Sequence, residues 1–333
     1  MPRRERPRPI SKGTAIIDDE LAVAGANVAV AAQPPRRAVR RRRPLGSASS
    51  AWLFLLPSAA ALLGVLLVPL AYAMWLSLFD YDIGAGIDRF IGLGNYSALL
   101  ADQQFWDSLG RTVLIVVSAV TLEFTLGLLV AYGLYRLTFG VRTLNLLMFM
   151  PNVITPVVAA LFLRWIFVSR WGLLSGILIG LGIFPPDFLG DPAWARAVVI
   201  LSDAWQFTPF MILVLYAGLN TVDQSQIEAA QIDGAGPWTL LLRIMVPAIR
   251  PLIAFVLAIR LMDAFRFFDQ IYVLTAGGPG TSTETITLYT YALAFRLLQV
   301  GKASALGVIT LLIVAAVILG MVMTLYRRDR GAF

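Results

Sequence analysis

Cysteine and histidine are both absent from the 333 residues, and lysine occurs only at Lys12 and Lys302. The chain therefore has no disulfide, no thiolate nucleophile, no Cys/His metal site and no histidine-based triad. A phosphate-binding P-loop needs a lysine that follows glycine and precedes Ser or Thr. Lys12 follows Ser11 and Lys302 precedes Ala303, so this chain does not hold ATP in that way. Charge is scarce as well: 14% of residues are charged and 58% hydrophobic, with a mean hydropathy of +0.76. A soluble domain with one core is far less apolar, and the composition places the chain in lipid.

The net charge of +7 does not point to nucleic acid. Eleven of the 27 basic residues fall within the first 43 positions, and most of the others punctuate the ends of apolar runs. That distribution is the positive-inside pattern of a membrane protein. Residues 1–50 mix Arg, Pro and Ala with an acidic patch at Asp18, Asp19 and Glu20, and no period in them buries a face. They are expected to form a disordered basic cytoplasmic tail. The first apolar run follows Arg40–Arg43 and is long enough to span, which fits an uncleaved first helix rather than a signal peptide.

An apolar stretch of about 20 residues crosses the hydrocarbon core as a helix, because a helix satisfies its own backbone polar groups there. Six segments qualify: 51–79, 112–135, 142–168, 197–219, 251–274 and 302–327. The expected fold class is an all-α membrane protein, a six-helix bundle over 51–328 with 329–333 as a cytoplasmic C-terminus. The apolar but Gly-broken stretch 171–186 reads as an interfacial piece. With the N-terminus inside, Arg136, Arg142, Arg243, Arg250, Arg327, Arg328 and Arg330 fall in the cytoplasm. Asp80, Asp82, Asp88, Asp102, Asp107, Asp187, Asp191 and Glu284 fall outside, with few basic residues such as Arg89 and Arg170. This asymmetry predicts that both termini are cytoplasmic.

Ionisable groups inside a span tend to face a protein interior or a water-filled path. Arg260, Asp263, Arg266 and Asp269 recur at three-residue intervals in the fifth segment, so each charge has an opposite neighbour about one turn away. They either neutralise one another within the bundle or meet a solute. Arg266, Phe267, Asp269 and Tyr272 are pathway candidates, since polar solutes are held by a few hydrogen-bonding groups set among aromatic faces. The fourth segment adds Asp203, Trp205 and Gln206. The third adds Asn152 and Thr155, between Pro151 and Pro156, which free backbone carbonyls. Trp205 equally suits a lipid-facing position, and Glu123 with Arg164 reads as a structural pair.

The connection over 220–250 is long for a helical bundle. Gln226–Ile232 are good helix formers, Gly234-Ala235-Gly236 breaks the helix, and Pro237 opens a second one. Two short helices at an angle make a rigid knob, with small Ala229 and Ala230 allowing close approach and Glu228 supplying charge. The spacing Glu228-Ala229-Ala230, three residues, Gly234, nine residues, Ile244, then a hydrophobe before Pro247 resembles the EAA loop of ATP-binding-cassette (ABC) importer permeases. Val246 stands where that family usually has leucine. Gly92–Tyr96, Phe268–Thr275, Gly277-Gly278-Pro279, Tyr291–Phe295 and Gly301–Ala305 are similar to the carbohydrate branch, the maltose and glycerol-phosphate type.

The resemblance covers about residues 52–328 and implies a permease subunit of a bacterial inner membrane. Its implied partners are a second permease subunit, two nucleotide-binding ATPases and an extracytoplasmic solute-binding protein, besides membrane lipid. It implies that ATP and Mg sit on the ATPases and that this chain binds no cofactor. Glu228, Ala229, Ala230, Asp233, Gly234 and Pro247 would carry ATPase coupling, and Gly277, Gly278 and Pro279 would lie near the docked binding protein. The implied solute is a sugar, polyol, glycerol phosphate or oligosaccharide. A proton-coupled secondary transporter using Asp203, Asp263 or Asp269 leaves the Glu228-to-Pro247 spacing unexplained. A membrane anchor without a solute path leaves the polar groups of the fifth segment without a task.

Overall fold

A computed structural model describes residues 48–169 and 171–329. The chain divides into two units, 1–61 and 62–333. The tail expected over 1–50 lies almost wholly outside the described residues. Of the first unit they include the amino-terminal part of helix α1 (Ala48–Leu76), which crosses into the second.

The second unit is helical. After α1 come a hairpin of β1 (Phe79–Asp82) and β2 (Ile87–Phe90), then α2 (Gly94–Leu100), α3 (Gln103–Tyr135), α4 (Val141–Val153), α5 (Pro156–Phe167), α6 (Leu173–Gly180) and α7 (Pro192–Leu219). Next are α8 (Gln224–Ile232), α9 (Pro237–Thr239) and α10 (Val246–Ala248), the last two joined by a π-helical turn over Leu240–Met245. The chain ends in α11 (Arg250–Ala264), α12 (Asp269–Leu274), α13 (Ile286–Tyr291) and α14 (Val300–Asp329).

Among the described residues, four helices are long and apolar enough to cross a membrane singly: 55–76, 103–135, 192–219 and 300–321. Two bent pairs, α4 with α5 at 91° and Pro237–Ala248 with α11 at 77°, bring the number to six if each counts as one span. The bend at Ile154–Thr155 follows from Pro151 and Pro156, the second of which opens α5. The fifth segment is not the uninterrupted helix expected over 251–274. It stops at Ala264 and resumes at Asp269. Tight-turn bonds bridge the gap, from Arg266 N to the Asp263 carbonyl and from Phe267 N to that of Ala264, while Thr287 Oγ1 donates to the freed Phe265 carbonyl at 3.1 Å. Asp269 opens α12, where its charge complements the helix dipole.

The core is centred on α3 against α7. Gly127 makes their approach possible, because a Cβ there would lie 2.7 Å from Met211 Cβ. Val116, Val120, Met211, Leu215 and Leu219 are buried at this seam, and Leu240, Leu241 and Met245 join the same cluster from the π-helical turn. α1 instead exposes apolar side chains widely, Val65 at 79% and Leu66 at 62%. A helix apolar on all faces and uncovered by the other described residues belongs in lipid or against another subunit.

Candidate functional site: a polar cavity and an exposed helical knob

α7 begins at Asp191, whose carboxylate caps the helix by accepting from the Ala193 and Trp194 amides. Three turns further on, Asp203 points toward α3 and α11. There Arg260, only 2% exposed, is the hub of a buried charge cluster. Its Nε donates to Glu123 Oε2 and its Nη2 to Glu123 Oε1, both at 2.7 Å. Nη2 also donates to Asp203 Oδ2 at 3.0 Å and Nη1 to Asp263 Oδ2 at 2.9 Å. The Phe207 ring covers the guanidinium, its centroid 4.1 Å from Cζ. The expected Glu123–Arg164 pair does not form. Arg164, on α5, donates instead to the Val273 carbonyl at 3.0 Å, because α5 packs on α12.

Beside this cluster lies a cavity of about 220 Å³, whose wall includes Asp203, Arg266, Phe267 and Asp269 of the sequence candidates. Sequence reasoning missed Phe207 as part of this wall and gave Glu123 the wrong partner. The opposed acidic residue in the second segment was the available signal for a partner in the fifth. Arg266 and Asp269 are exposed, whereas Phe267 is half-buried. A second cavity of about 460 Å³ shares Arg266 and Phe268 and adds Thr287, Thr290, Tyr291 and Phe295. Tyr272 stacks on Phe268 with centroids 5.3 Å apart and meets Tyr291 edge-on at 5.4 Å, so it belongs to an aromatic ladder beside the second cavity.

The other candidates take different positions. Gln206 is buried and spent on structure: its Nε2 donates at 2.7 Å to the Ile154 carbonyl that the proline break frees, and its Oε1 accepts from Gln270. Asn152 Nδ2 donates to the Gln206 carbonyl at 3.2 Å. Thr155, preceding α5, is exposed. Trp205 lines an apolar groove with Leu122, Met148 and Pro209 on another face of α7, away from the charges.

The connection between α7 and α11 folds into the two short helices that its composition predicts. Asp223 caps α8 by accepting from Ser225 N at 2.9 Å, and these amide and hydroxyl bonds hold its carboxyl below the usual carboxylate range. Gly234 ends α8 at φ +82°, a conformation that side chains disfavour. Pro237 opens the next helix, and its carbonyl accepts from Tyr132 Oη at 2.9 Å, which ties the knob to α3. Ile227 is buried below, while Glu228, Ala229, Ile232 and Asp233 face outward; Ala230 and Pro247 are half-buried. Ile232 is 86% and Trp238 59% exposed, an unusual display for large apolar side chains.

At the other end of the bundle the segments after α2 and α12 are laced together. Asp102 Oδ2 accepts from Tyr289 Oη at 2.7 Å and from Lys302 Nζ at 3.1 Å, while Glu284 accepts from Gln104 Nε2 at 3.2 Å. Gly277 is buried in its turn, Gly278 and Pro279 are half-buried, and Gly280 and Thr281 form the exposed tip.

Long apolar helices, a polar cavity at a helix break, an exposed helical knob at one end and laced loops at the other make up a polytopic membrane subunit. Residues 123–329 match the family described as binding-protein-dependent transport system inner membrane component, and the chain belongs to that family. It is the permease of an ABC importer, a transport component rather than a catalytic one.

Three relatives illustrate the range. A probable ABC transporter permease protein of Sinorhizobium fredii is 36% identical, covering 87% of this chain and 94% of its own. The trehalose transport system permease protein of Mycobacterium tuberculosis is 35% identical, covering 78% and 83%. The trehalose/maltose transport system permease protein of Thermococcus litoralis is 33% identical, covering 84% and 94%. In fold, the chain matches a subunit of a bacterial ABC transporter involved in import of the acidic polysaccharide alginate, with TM-score 0.73 at 23% identity, covering 84% and 96%.

Proposed function

We propose that this permease carries a saccharide or saccharide-like solute, handed over by an extracytoplasmic binding protein, into the cytoplasm by alternating access. The observation that carries this reading is the polar cavity of about 220 Å³ at the break between α11 and α12, where charged groups alternate with the rings of Phe207, Phe267 and Phe268. Hydrogen-bonding groups beside aromatic faces suit hydroxyl-rich rings. Arg266, Phe267 and Asp269 are the lining groups placed to meet the solute. The trehalose and trehalose/maltose transport roles of the two named relatives point the same way.

Both termini are cytoplasmic in this reading, with the Asp102–Lys302 end outside, since the basic residues favour the end bearing α8. The α8 knob docks on one of two partner ATPases, which bind ATP and Mg, through Glu228, Ala229, Ala230, Asp233 and the turn at Gly234. Pro247 holds the return helix. Closure of the ATPases moves the knob, and the Tyr132–Pro237 bond and the Leu240–Met245 packing pass that motion to α3 and α7. A second permease subunit covers the apolar faces that lipid does not, and the Gly277-Gly278-Pro279 turn faces the binding protein.

The test is uptake in proteoliposomes holding the complete complex, with labelled trehalose or maltose and the binding protein outside. ATP-dependent accumulation supports the reading. Accumulation by the chain alone, driven by a proton gradient without ATP, contradicts it.

A further inference from the structure

The two carboxylate oxygens of Asp203, a residue only 2% exposed, differ in their partners. Oδ2 accepts from Arg260, whereas Oδ1, itself buried, receives no donor among the described residues. A buried carboxylate oxygen left without a donor is costly, and Asp203 forms part of the cavity wall. Arg260 is already committed, with Nε, Nη1 and Nη2 engaged by Glu123, Asp263 and Asp203 and Phe207 against its face. The wall sets Asp203, Asp263 and Asp269 against Arg260 and Arg266, with Glu123 drawing further on Arg260. Its formal balance is negative.

We infer that Asp203 is a specificity-determining residue: with Asp263 and Asp269 it makes the cavity wall acidic, and that wall disfavours carboxylated, phosphorylated and sulfonated solutes. The solute class is thus a neutral or amino-bearing saccharide. This inference rests on the cavity being the solute path proposed above. Arg266 does not reverse it, because Asp269 stands three residues away on the same wall.

The experiment uses the complete transporter without its binding protein and measures binding of trehalose, an amino-trehalose and a trehalose uronate by titration calorimetry. Wild type binds the first two and discriminates against the uronate by about tenfold or more, the ratio that corresponds to ~1.4 kcal/mol. Asp203→Asn, which keeps the side-chain shape and removes the charge, narrows that ratio. Asp263→Asn at the exposed rim narrows it too and serves if the Asp203 variant fails to fold. A merely structural role would weaken all three ligands alike.

Equal binding of uronate and trehalose by wild type, or an unchanged ratio in both variants, overturns the inference and leaves saccharide import standing. Absence of binding of all three ligands, in a complex that imports trehalose when its binding protein is supplied, overturns the cavity assignment and the inference together. Absence of any saccharide import by the complete system overturns the proposed function itself.

Discussion

Arg260 and Glu123, 137 positions apart, form a two-point pair with Nε–Oε2 and Nη2–Oε1 both at 2.7 Å, and this pair fixes α11 to α3. Removing one partner of a buried pair leaves the other charge uncompensated, at a cost of about 3–5 kcal/mol. Arg260→Met, which strands Glu123, Asp203 and Asp263 together, is expected to lower the melting temperature of the detergent-purified complex more than Glu123→Gln does. Equal melting of wild type and Arg260→Met would remove the cluster from the structural account.

Gln206 bridges the break in the third span. Gln206→Leu leaves the Ile154 carbonyl without its donor, and an unsatisfied buried group costs about 1–3 kcal/mol. A lower thermal stability is expected, with a smaller change for Asn152→Leu, whose contact at 3.2 Å is longer and only part-buried. The reverse order would argue against Gln206 as the support of the bend.

Gly234 stands at φ +82°, far from the value near −65° that proline imposes, and its amide donates to the Gln231 carbonyl at 3.1 Å. Gly234→Pro is expected to disorder the end of α8 and abolish copurification of the ATPase while membrane insertion persists. Glu228→Lys, a charge reversal on an exposed side chain, is expected to weaken copurification without unfolding α8. Normal uptake and copurification in both variants would remove the knob from the docking surface.

Asp102 accepts from the Tyr289 hydroxyl above all, and also from Lys302 and the Gln104 amide, which together outweigh burial and hold its carboxyl below the usual carboxylate range. A group depressed in the folded state contributes stability above its unfolded pKa of about 4, and that contribution is lost as pH falls through the lower folded value. Melting temperature is therefore expected to drop as pH is taken below about 4. Tyr289→Phe is expected to melt lower at neutral pH and to show a shallower acid loss. Parallel melting curves for wild type and Tyr289→Phe across that range would contradict the link.

Much of this was legible in the sequence because it depends on local chemistry. Long apolar runs disclose the four long spanning helices, Pro151 and Pro156 disclose the bend, and the Gly234-to-Pro237 punctuation discloses the knob. The rest depends on tertiary choice. Arg260 has acidic neighbours at several separations, and packing of α11 on α3 selects Glu123, while packing of α5 on α12 sends Arg164 to a backbone carbonyl. Trp205 and Gln206 are adjacent in sequence, yet a turn of about 100° per residue on α7 sends one to an apolar groove and the other into the core. The break after Ala264 carries no proline or glycine to announce it, and Thr287, which supports it, lies 22 residues away. The short hairpin Phe79–Phe90 was missed for a similar reason, since four-residue strands are held in part by a bond from Ile83 N to the distant Leu298 carbonyl.

The most direct test of the account is solute-stimulated ATPase activity in the purified complex, compared between wild type and Glu228→Lys. The account predicts that wild type hydrolyses ATP faster when the solute-loaded binding protein is added, and that Glu228→Lys loses this stimulation while the permease stays folded in the membrane. Full stimulation in the variant, or purification of a chain that transports solute with no ATPase attached, would contradict it.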